Sequence, residues 1–300
     1  MAGIAEKLSV EQWQKRLADH RARLGPSAEA YRARRSLGKC HAVEDFLFQY
    51  YPFSPSKLLS WHPGVGVSLE IGHEEIPEHF TRKPYRAESG WVAVDQGKIG
   101  GPESKRFRFI HGLLSAIDAR PPHLGCFGLH EWAMVYQREQ SEIRHETLPL
   151  RLSPQEIAQF VDSQRVCCTH YDAFRFFTPE AIPLNSHQPS YESRIDLEQP
   201  GCIHTNMDLY RWAYKIAPWI PGELLGDCYL YARSAREIDM RASPYDVSGL
   251  GLVPIALETT EGREEYRHAQ GQLAADGGPL RKRLIAALES LVALSPTTAS

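Results

Sequence analysis

The sequence contains few cysteines, and none is spaced for metal binding or redox chemistry. Its six cysteines are spread over 300 residues, and no two of them form a C-x-x-C pair. This spacing argues against a zinc ribbon, and the small number argues against a secreted domain held together by disulfides. We therefore expect the adjacent Cys167 and Cys168 to be small, buried apolar residues.

Long apolar runs and an excess of one charge are also lacking. There is no uninterrupted run of about 18 apolar residues, and the first residues have neither the basic start nor the apolar stretch of a signal peptide. We therefore expect a cytoplasmic protein without a membrane partner. The formal net charge is −3, so no overall positive field attracts nucleic acid, and phosphate contacts would need a local basic cluster.

Several catalytic motifs are absent from the sequence. It has no P-loop, no G-x-G-x-x-G dinucleotide-binding motif, no H-E-x-x-H zinc helix and no G-x-S-x-G nucleophile elbow. The common nucleotide-binding, zinc-protease and serine-hydrolase families are therefore not indicated.

Helical spacing dominates the patterns that are present. Apolar residues recur at helical intervals over 103–120, and Ser153–Glu156 reads as a capping box that predicts a helix starting at Ser153. Strand patterns are short, as at 67–71. In residues 71–101 the apolar residues show no sustained helical or strand spacing. We predict a mainly α protein with a few short strands and long irregular loops.

The same patterns predict how the chain is organised. We expect a single domain over 1–300, because no repeat or low-complexity tract divides the sequence. Helical segments at the two ends, 1–37 and 260–294, are expected to be peripheral. The second of these reads as two helices, 260–275 and 279–294.

The segment Cys167–Phe177 has the composition of a functional site. It places His170, Asp172 and Arg175 among four aromatic rings. Burial among rings would remove water from these groups and strengthen the interactions of their charges, as acid–base chemistry or cation binding requires. A structural ion pair between Asp172 and Arg175, packed under the rings, is the alternative interpretation.

A second pair of ionisable residues lies on the predicted helix 204–217. His204 and Asp208 are four residues apart and therefore project from the same side. Metal ligands and histidines oriented by carboxylates use this spacing, although surface and capping pairs use it too. We predict that His170 and Asp172 face the same pocket as His204 and Asp208.

Two further groups combine polar and aromatic residues. One is His130-Glu131-Trp132, and the other runs from Arg236 to Asp246. A core histidine with satisfied hydrogen bonds would explain the first group, and a solvated charged loop would explain the second.

Long strings of the sequence resemble a known family. The strings are Asp45–Tyr51, Trp61–Gly64, Gly125–Tyr136 (G-C-F-G-L-H-E-W-A-M-V-Y), Cys167–Phe177, Glu198–Cys202 and Ala242–Asp246. With these residues the chain resembles a family of bacterial proteins, frequent in actinobacteria, that is named 3-methyladenine DNA glycosylase.

The resemblance implies a DNA base-excision N-glycosylase acting on damaged DNA. Such an enzyme extrudes an alkylated purine and hydrolyses its glycosidic bond without a cofactor, while rings stack on the electron-poor base and a carboxylate activates water. The predicted catalytic residues are Asp172, His170, Asp208 and His204. The predicted substrate-binding residues are Tyr171, Phe174, Arg175, Trp132 and Arg211.

The same residue types are also suited to a metal. The alternative is a metal-dependent helical oxidase or hydrolase acting on a small planar molecule, with iron, manganese or zinc as cofactor. Its predicted ligands are His130, His170, His204 and Glu131. Two or more histidines and a carboxylate within about 10 Å of one another would favour this reading, whereas aromatic rings around a carboxylate would favour a base pocket. A non-catalytic ligand-binding protein is a third possibility.

Overall fold

The computed structural model of the protein describes residues 5–72, 76–143 and 148–296. Apart from short 3-10 turns, the regular structure of these residues is eleven α-helices and one four-stranded sheet. The predicted mainly α fold is therefore confirmed. Residues 1–4 of the N-terminal segment, and 73–75 of the segment predicted to be irregular, lie outside the described ranges.

The helices differ widely in length. They are α1 (Val10–Ser36), α2 (Phe46–Tyr50), α3 (Pro55–Leu58), α4 (Gly101–Asp118), α5 (Leu129–Ala133), α6 (Pro154–Asp162), α7 (Tyr171–Phe174), α8 (Arg194–Leu197), α9 (Ile203–Lys215), α10 (Gly222–Arg241) and α11 (Thr260–Ala293). None of the helices in the described part of the chain is long and apolar enough to cross a membrane.

One small sheet contains the four strands of the described residues, and three of them lie between residues 67 and 94. Its strands are β1 (Glu6–Leu8), β2 (Val67–Glu70), β3 (Tyr85–Glu88) and β4 (Trp91–Val94), in the order β1-β2-β4-β3. β1 is parallel to β2, and the other neighbours are antiparallel. Leu69 lies opposite Val92, and both belong to one apolar cluster with Leu8 of β1 and Trp13 of α1.

Local sequence signals account for several helices. Ser153 caps α6, since its hydroxyl accepts from the backbone of Glu156 while the Glu156 side chain accepts from the backbone of Ser153. α4 buries Phe107 and Ile110 on the apolar face that the spacing predicts. Both predicted helices are confirmed.

The prediction of two C-terminal helices is wrong. α11 continues through Pro279, as one helix from Thr260 to Ala293. Pro279 is exposed, whereas Leu284 and Leu288 are buried in the main core. Burial of this apolar face outweighs the hydrogen bond that the proline cannot make. α1 likewise contains an internal proline, Pro26, and places Leu24 in the same core.

Helix α9 lies at the centre of the fold. Eleven of its thirteen residues are buried, and it packs against α10 and α11. Its polar side chains are therefore removed from solvent and must find partners within the protein. The candidate site lies beside α9, where these buried polar side chains meet their partners.

Candidate functional site

Helix α9 carries His204 and Asp208 into the interior. Both side chains are buried, and they project from one side because they are one helical turn apart. An ionised carboxylate out of water is unfavourable unless it is paired and hydrogen-bonded. The partners of Asp208 therefore define the first part of the site.

Asp208 belongs to a group of paired acids and arginines, the acid–arginine cluster. Its members are Tyr51, His170, Asp172, Arg194, Glu198, Asp208 and Arg211. Oδ2 of Asp208 accepts from Arg211 at 3.2 Å and from Arg194 at 3.3 Å, and Oδ1 accepts from the Tyr51 hydroxyl at 2.9 Å. Arg211 also donates to Asp172, and Arg194 donates to Glu198 at 2.7 Å. Each carboxylate of the cluster thus has a guanidinium partner.

His170 enters this cluster from the start of α7. Its Nδ1 accepts the backbone N–H of Ala173 at 3.2 Å, so the side chain caps the helix. In the neutral ring this bond places the proton on Nε2, which lies 3.3 Å from Oδ2 of Asp208. Burial opposes ionisation of Asp208, but His170 and Arg211 outweigh it and hold the pKa of Asp208 below its ordinary value.

A second group, the histidine–carboxylate cluster, consists of His130, Glu131, His204 and Asp239. Each residue presents one nitrogen or oxygen atom, and these four atoms all lie within 4.8 Å of one another. Nε2 of His130 is 2.7 Å from Oδ1 of Asp239, and the rings of His130 and His204 meet edge to face at 4.4 Å. All four side chains are buried.

Arg236 connects the two carboxylates of this cluster. Its Nη1 donates to Glu131 at 2.8 Å and to Asp239 at 2.5 Å. Arg236 is 1% exposed, and its guanidinium lies 3.9 Å from the centre of the Phe46 ring. The carboxylates are therefore held in fixed orientations by a cation that solvent cannot reach.

The two histidines of this cluster differ in their electrostatics. Burial disfavours the imidazolium of His130, but the charge of Asp239 outweighs burial and raises the pKa of His130 well above its ordinary value. Burial lowers the pKa of His204 well below its ordinary value, and the neighbouring His130 adds to this effect. His204 is thus a neutral imidazole, and its buried Nδ1 has no hydrogen-bond partner among the described residues.

His204 also joins the two clusters. Its ring lies 5.5 Å from the His170 ring, on the side of the acid–arginine cluster. Between the clusters is a cavity of about 10 Å³, whose polar wall consists of Glu131, Asp172, His204 and Arg236. This volume is about that of one water molecule or one ion.

The four predicted catalytic residues therefore lie close together. Asp172 and His204 line the same cavity, His170 and Asp208 are in contact, and Arg211 contacts both Asp172 and Asp208. Asp172 and Arg175 also form the ion pair of the alternative interpretation, at 3.3 Å. Asp172 has additional arginine partners, however, so this pair is one contact within a larger network.

Three predicted substrate-binding rings do not line the cavity. Trp132 is fully buried, donates to the carbonyl of Ala242 at 2.9 Å and packs against Phe160 in a separate core cluster. Tyr171 and Phe174 lie on α7 but are absent from the cavity wall. They were predicted from sequence proximity to Asp172, and the short helix directs them elsewhere. The rings that line the cavity are those of Phe46, Tyr50 and Phe176.

The predicted metal ligands also need correction. His130, His204 and Glu131 belong to the four-residue group, but His170 does not. The fourth member is Asp239, three residues after Arg236 on α10. The alternative interpretation of 236–246 as a solvated charged loop left Asp239 out of the predicted ligands, because the helical register of α10 that turns Asp239 inward was not recognised.

Comparison of the chain with protein-family models, with curated proteins and with solved structures finds no match. The functional conclusion therefore rests on the geometry of the two clusters.

Proposed function

We propose that the protein is a metal-dependent enzyme whose cation is held by His130, Glu131, His204 and Asp239. The observation that carries this proposal is the convergence of two imidazole nitrogens and two carboxylate oxygens, all buried and all within 4.8 Å of one another. Two ligand atoms that are each about 2 Å from a first-row divalent cation are at most about 4 Å apart, so the four atoms would move closer by less than about 1 Å to bind it.

The chemistry of the donors narrows the choice of metal. Imidazole and carboxylate ligands suit zinc, iron(II) and manganese(II), and no thiolate is among the four donors. Nδ1 of His204 is buried and has no hydrogen-bond partner in the part of the chain that the structure describes. Such a group is costly in a protein interior, and binding a cation would relieve the cost. Arg236 would then act behind the ligands, because it already orients both carboxylates.

The balance of charge supports a divalent cation. The two clusters contain five buried carboxylates, Glu131, Asp172, Glu198, Asp208 and Asp239. They face three arginines in the interior, Arg194, Arg211 and Arg236. When His130 gives up its proton, as binding to a metal requires, two negative charges remain before the half-exposed Arg175 is counted. One divalent cation offsets this excess.

We propose that the reaction takes place at the central cavity. A bound cation lowers the pKa of a coordinated water and polarises a substrate oxygen. The cavity has room for one such small ligand, and its wall includes the carboxylate of Asp172. The partly exposed rings of Tyr50 and Phe176 lie on the outer side of this wall. They favour a small planar substrate, which would approach the site past them.

The N-glycosylase activity that the sequence resemblance implies stays a prediction. The geometry favours the metal because four nitrogen and oxygen donors lie within 4.8 Å of one another, an arrangement that hydrolysis of a glycosidic bond without a cofactor does not need. Release of 3-methyladenine from methylated duplex DNA by the purified protein, abolished by Asp172→Asn, would reverse this preference.

Metal analysis tests the proposal directly. The full chain, purified without chelators and then equilibrated in turn with iron(II), manganese(II) and zinc, should retain close to one equivalent of one of them by mass spectrometry. His204→Gln should lose that metal. His111→Gln is the matched control, since His111 lies on α4 beside Glu289, outside the cluster. Folded wild-type protein that retains none of the three metals would refute the proposal.

A further inference from the structure

A second cavity, of about 330 Å³, shares no wall residue with the central one. Its polar wall is formed by His123, Gln164, Arg165 and His187, and its apolar wall by Phe127 and Leu129. No carboxylate of the described residues lines this space, which we name the Arg165 cavity. A volume of this size is typical of sites for small organic molecules.

The polar groups of the Arg165 cavity are suited to an anion. Nε of Arg165 donates to the hydroxyl of Ser186 at 3.3 Å, and no carboxylate in the described part of the chain pairs with this guanidinium. Its terminal nitrogens have the planar geometry that binds a carboxylate through two parallel hydrogen bonds. Gln164 and the two imidazoles add further hydrogen-bond donors to the same wall.

Backbone geometry in the apolar wall provides an independent observation. Phe127 has a φ of 46°, in the left-handed region that bulky residues rarely adopt. The next residue, Gly128, has a φ of 68°, and a Cβ there would lie 3.2 Å from the ring of Tyr266. Strained residues of this kind concentrate at binding sites, where the surrounding structure imposes them. The ring of Phe127, which has this strained backbone, lies in the cavity wall.

Cys167 also lines the Arg165 cavity, and the state of its thiol argues against covalent chemistry. Its buried thiol donates to the carbonyl of Gly125 at 2.8 Å, and burial raises its pKa to about 11. A thiol in this state is a poor nucleophile. The cavity is therefore suited to reversible binding.

We propose that the Arg165 cavity is a binding site for a small aromatic carboxylate. The carboxylate would pair with Arg165, and the ring would pack against Phe127 and Leu129. This site is separate from the metal site, and its test does not depend on metal being bound.

The probe for this proposal is 4-fluorobenzoate, observed by fluorine NMR with the purified full chain. We expect saturable binding to the wild type. Arg165→Gln should weaken the affinity by about tenfold or more, as loss of a charge-assisted bidentate contact predicts. The neutral isostere 4-fluorobenzamide should show a similar loss on the wild type. Arg32→Gln is the matched control, since Arg32 is also exposed and held by one serine hydroxyl.

A second variant tests the ring without endangering the fold. Phe127→Gly keeps the left-handed backbone, which glycine adopts freely, and removes the packing surface, so 4-fluorobenzoate should bind at least several-fold more weakly. Three results would overturn the proposal: no binding to the wild type, equal affinity in Arg165→Gln and the wild type, or equal affinity for the benzoate and the benzamide.

Discussion

His62 links the stability of the protein to pH at the scale of a single residue. Burial, together with the neighbouring His79, lowers the pKa of His62 to about 3. Its Nδ1 lies 2.7 Å from the hydroxyl of Tyr85, so the neutral ring is held in a hydrogen bond. The unfolded chain takes up a proton near the ordinary histidine pKa of about 6.5, whereas the folded chain does not.

The sign of the pH effect follows from this difference. The contribution of His62 to stability is complete above about pH 6.5 and is lost as the pH falls toward 3, by up to about 1.4 kcal/mol per pH unit. Denaturant unfolding at pH 7 and pH 5 should therefore show a smaller loss of stability in His62→Gln than in the wild type. The control is the same substitution at the partly exposed His111, His111→Gln. Equal losses of stability in the wild type and in His62→Gln would contradict the prediction.

Single residues were predicted well only where local spacing was informative. His204 and Asp208 were found because a helical interval places them on one side of α9. Trp132 was assigned to a substrate, yet its indole N–H is satisfied by the carbonyl of Ala242, 110 residues away. No local pattern indicates so distant a partner.

At the scale of elements, α11 contains a proline that the surrounding packing tolerates. Pro279 lacks the N–H of a regular helical turn, and its side chain is exposed. Replacing it with alanine restores the hydrogen bond without removing a core contact. Pro279→Ala should raise the free energy of unfolding by about 1 to 2 kcal/mol, after the greater freedom of the unfolded chain is subtracted.

Thermal and denaturant unfolding of the variant measure this gain. Pro122→Ala is the matched control, because Pro122 is equally exposed but lies outside any helix. That change should be neutral or slightly destabilising. A Pro279→Ala protein less stable than the wild type would show that the proline contributes to the packing of α11.

The elements also show which local rules are reliable. The capping box at Ser153 correctly marks the start of α6, because both hydrogen bonds lie within one turn. The predicted break between residues 275 and 279 does not occur, because Leu284 and Leu288 are anchored in the core beyond it. Helix α11 continues because it buries apolar area against other helices. The sequence around a proline does not show how much area will be buried in this way.

At the scale of the whole molecule, the proposed metal should stabilise the entire fold. His130 and Glu131 come from α5, His204 from α9 and Asp239 from α10, so a cation would join three helices. At a free metal concentration about 100 times the Kd, the gain is about 2.7 kcal/mol. Thermal unfolding of the wild type should show this stabilisation, and chelation should reverse it.

The same experiment on His204→Gln provides the control. Its unfolding temperature should no longer respond to the metal that stabilises the wild type. A metal effect of equal size in both proteins would indicate that the cation binds elsewhere on the chain.

The sequence predicts only in part that α5, α9 and α10 bring the residues of the histidine–carboxylate cluster together. The sequence identified three of the four cluster residues by their type and neighbours, but it gave no distances between α5, α9 and α10. Those distances depend on how α9 and α10 pack together, which is a property of the assembled core.

The position of Asp239 also has a consequence for the newly made chain. The other three members of the histidine–carboxylate cluster are complete once residue 204 has been synthesised, but the fourth appears only after roughly four fifths of the 300 residues. Until then both Arg236 and Asp239 are missing, so Glu131 lacks the guanidinium that pairs with it and the second carboxylate of the cluster. The interior around this cluster can therefore close only after α10 has been synthesised, and a chain that stops short of α10 lacks Asp239 and Arg236.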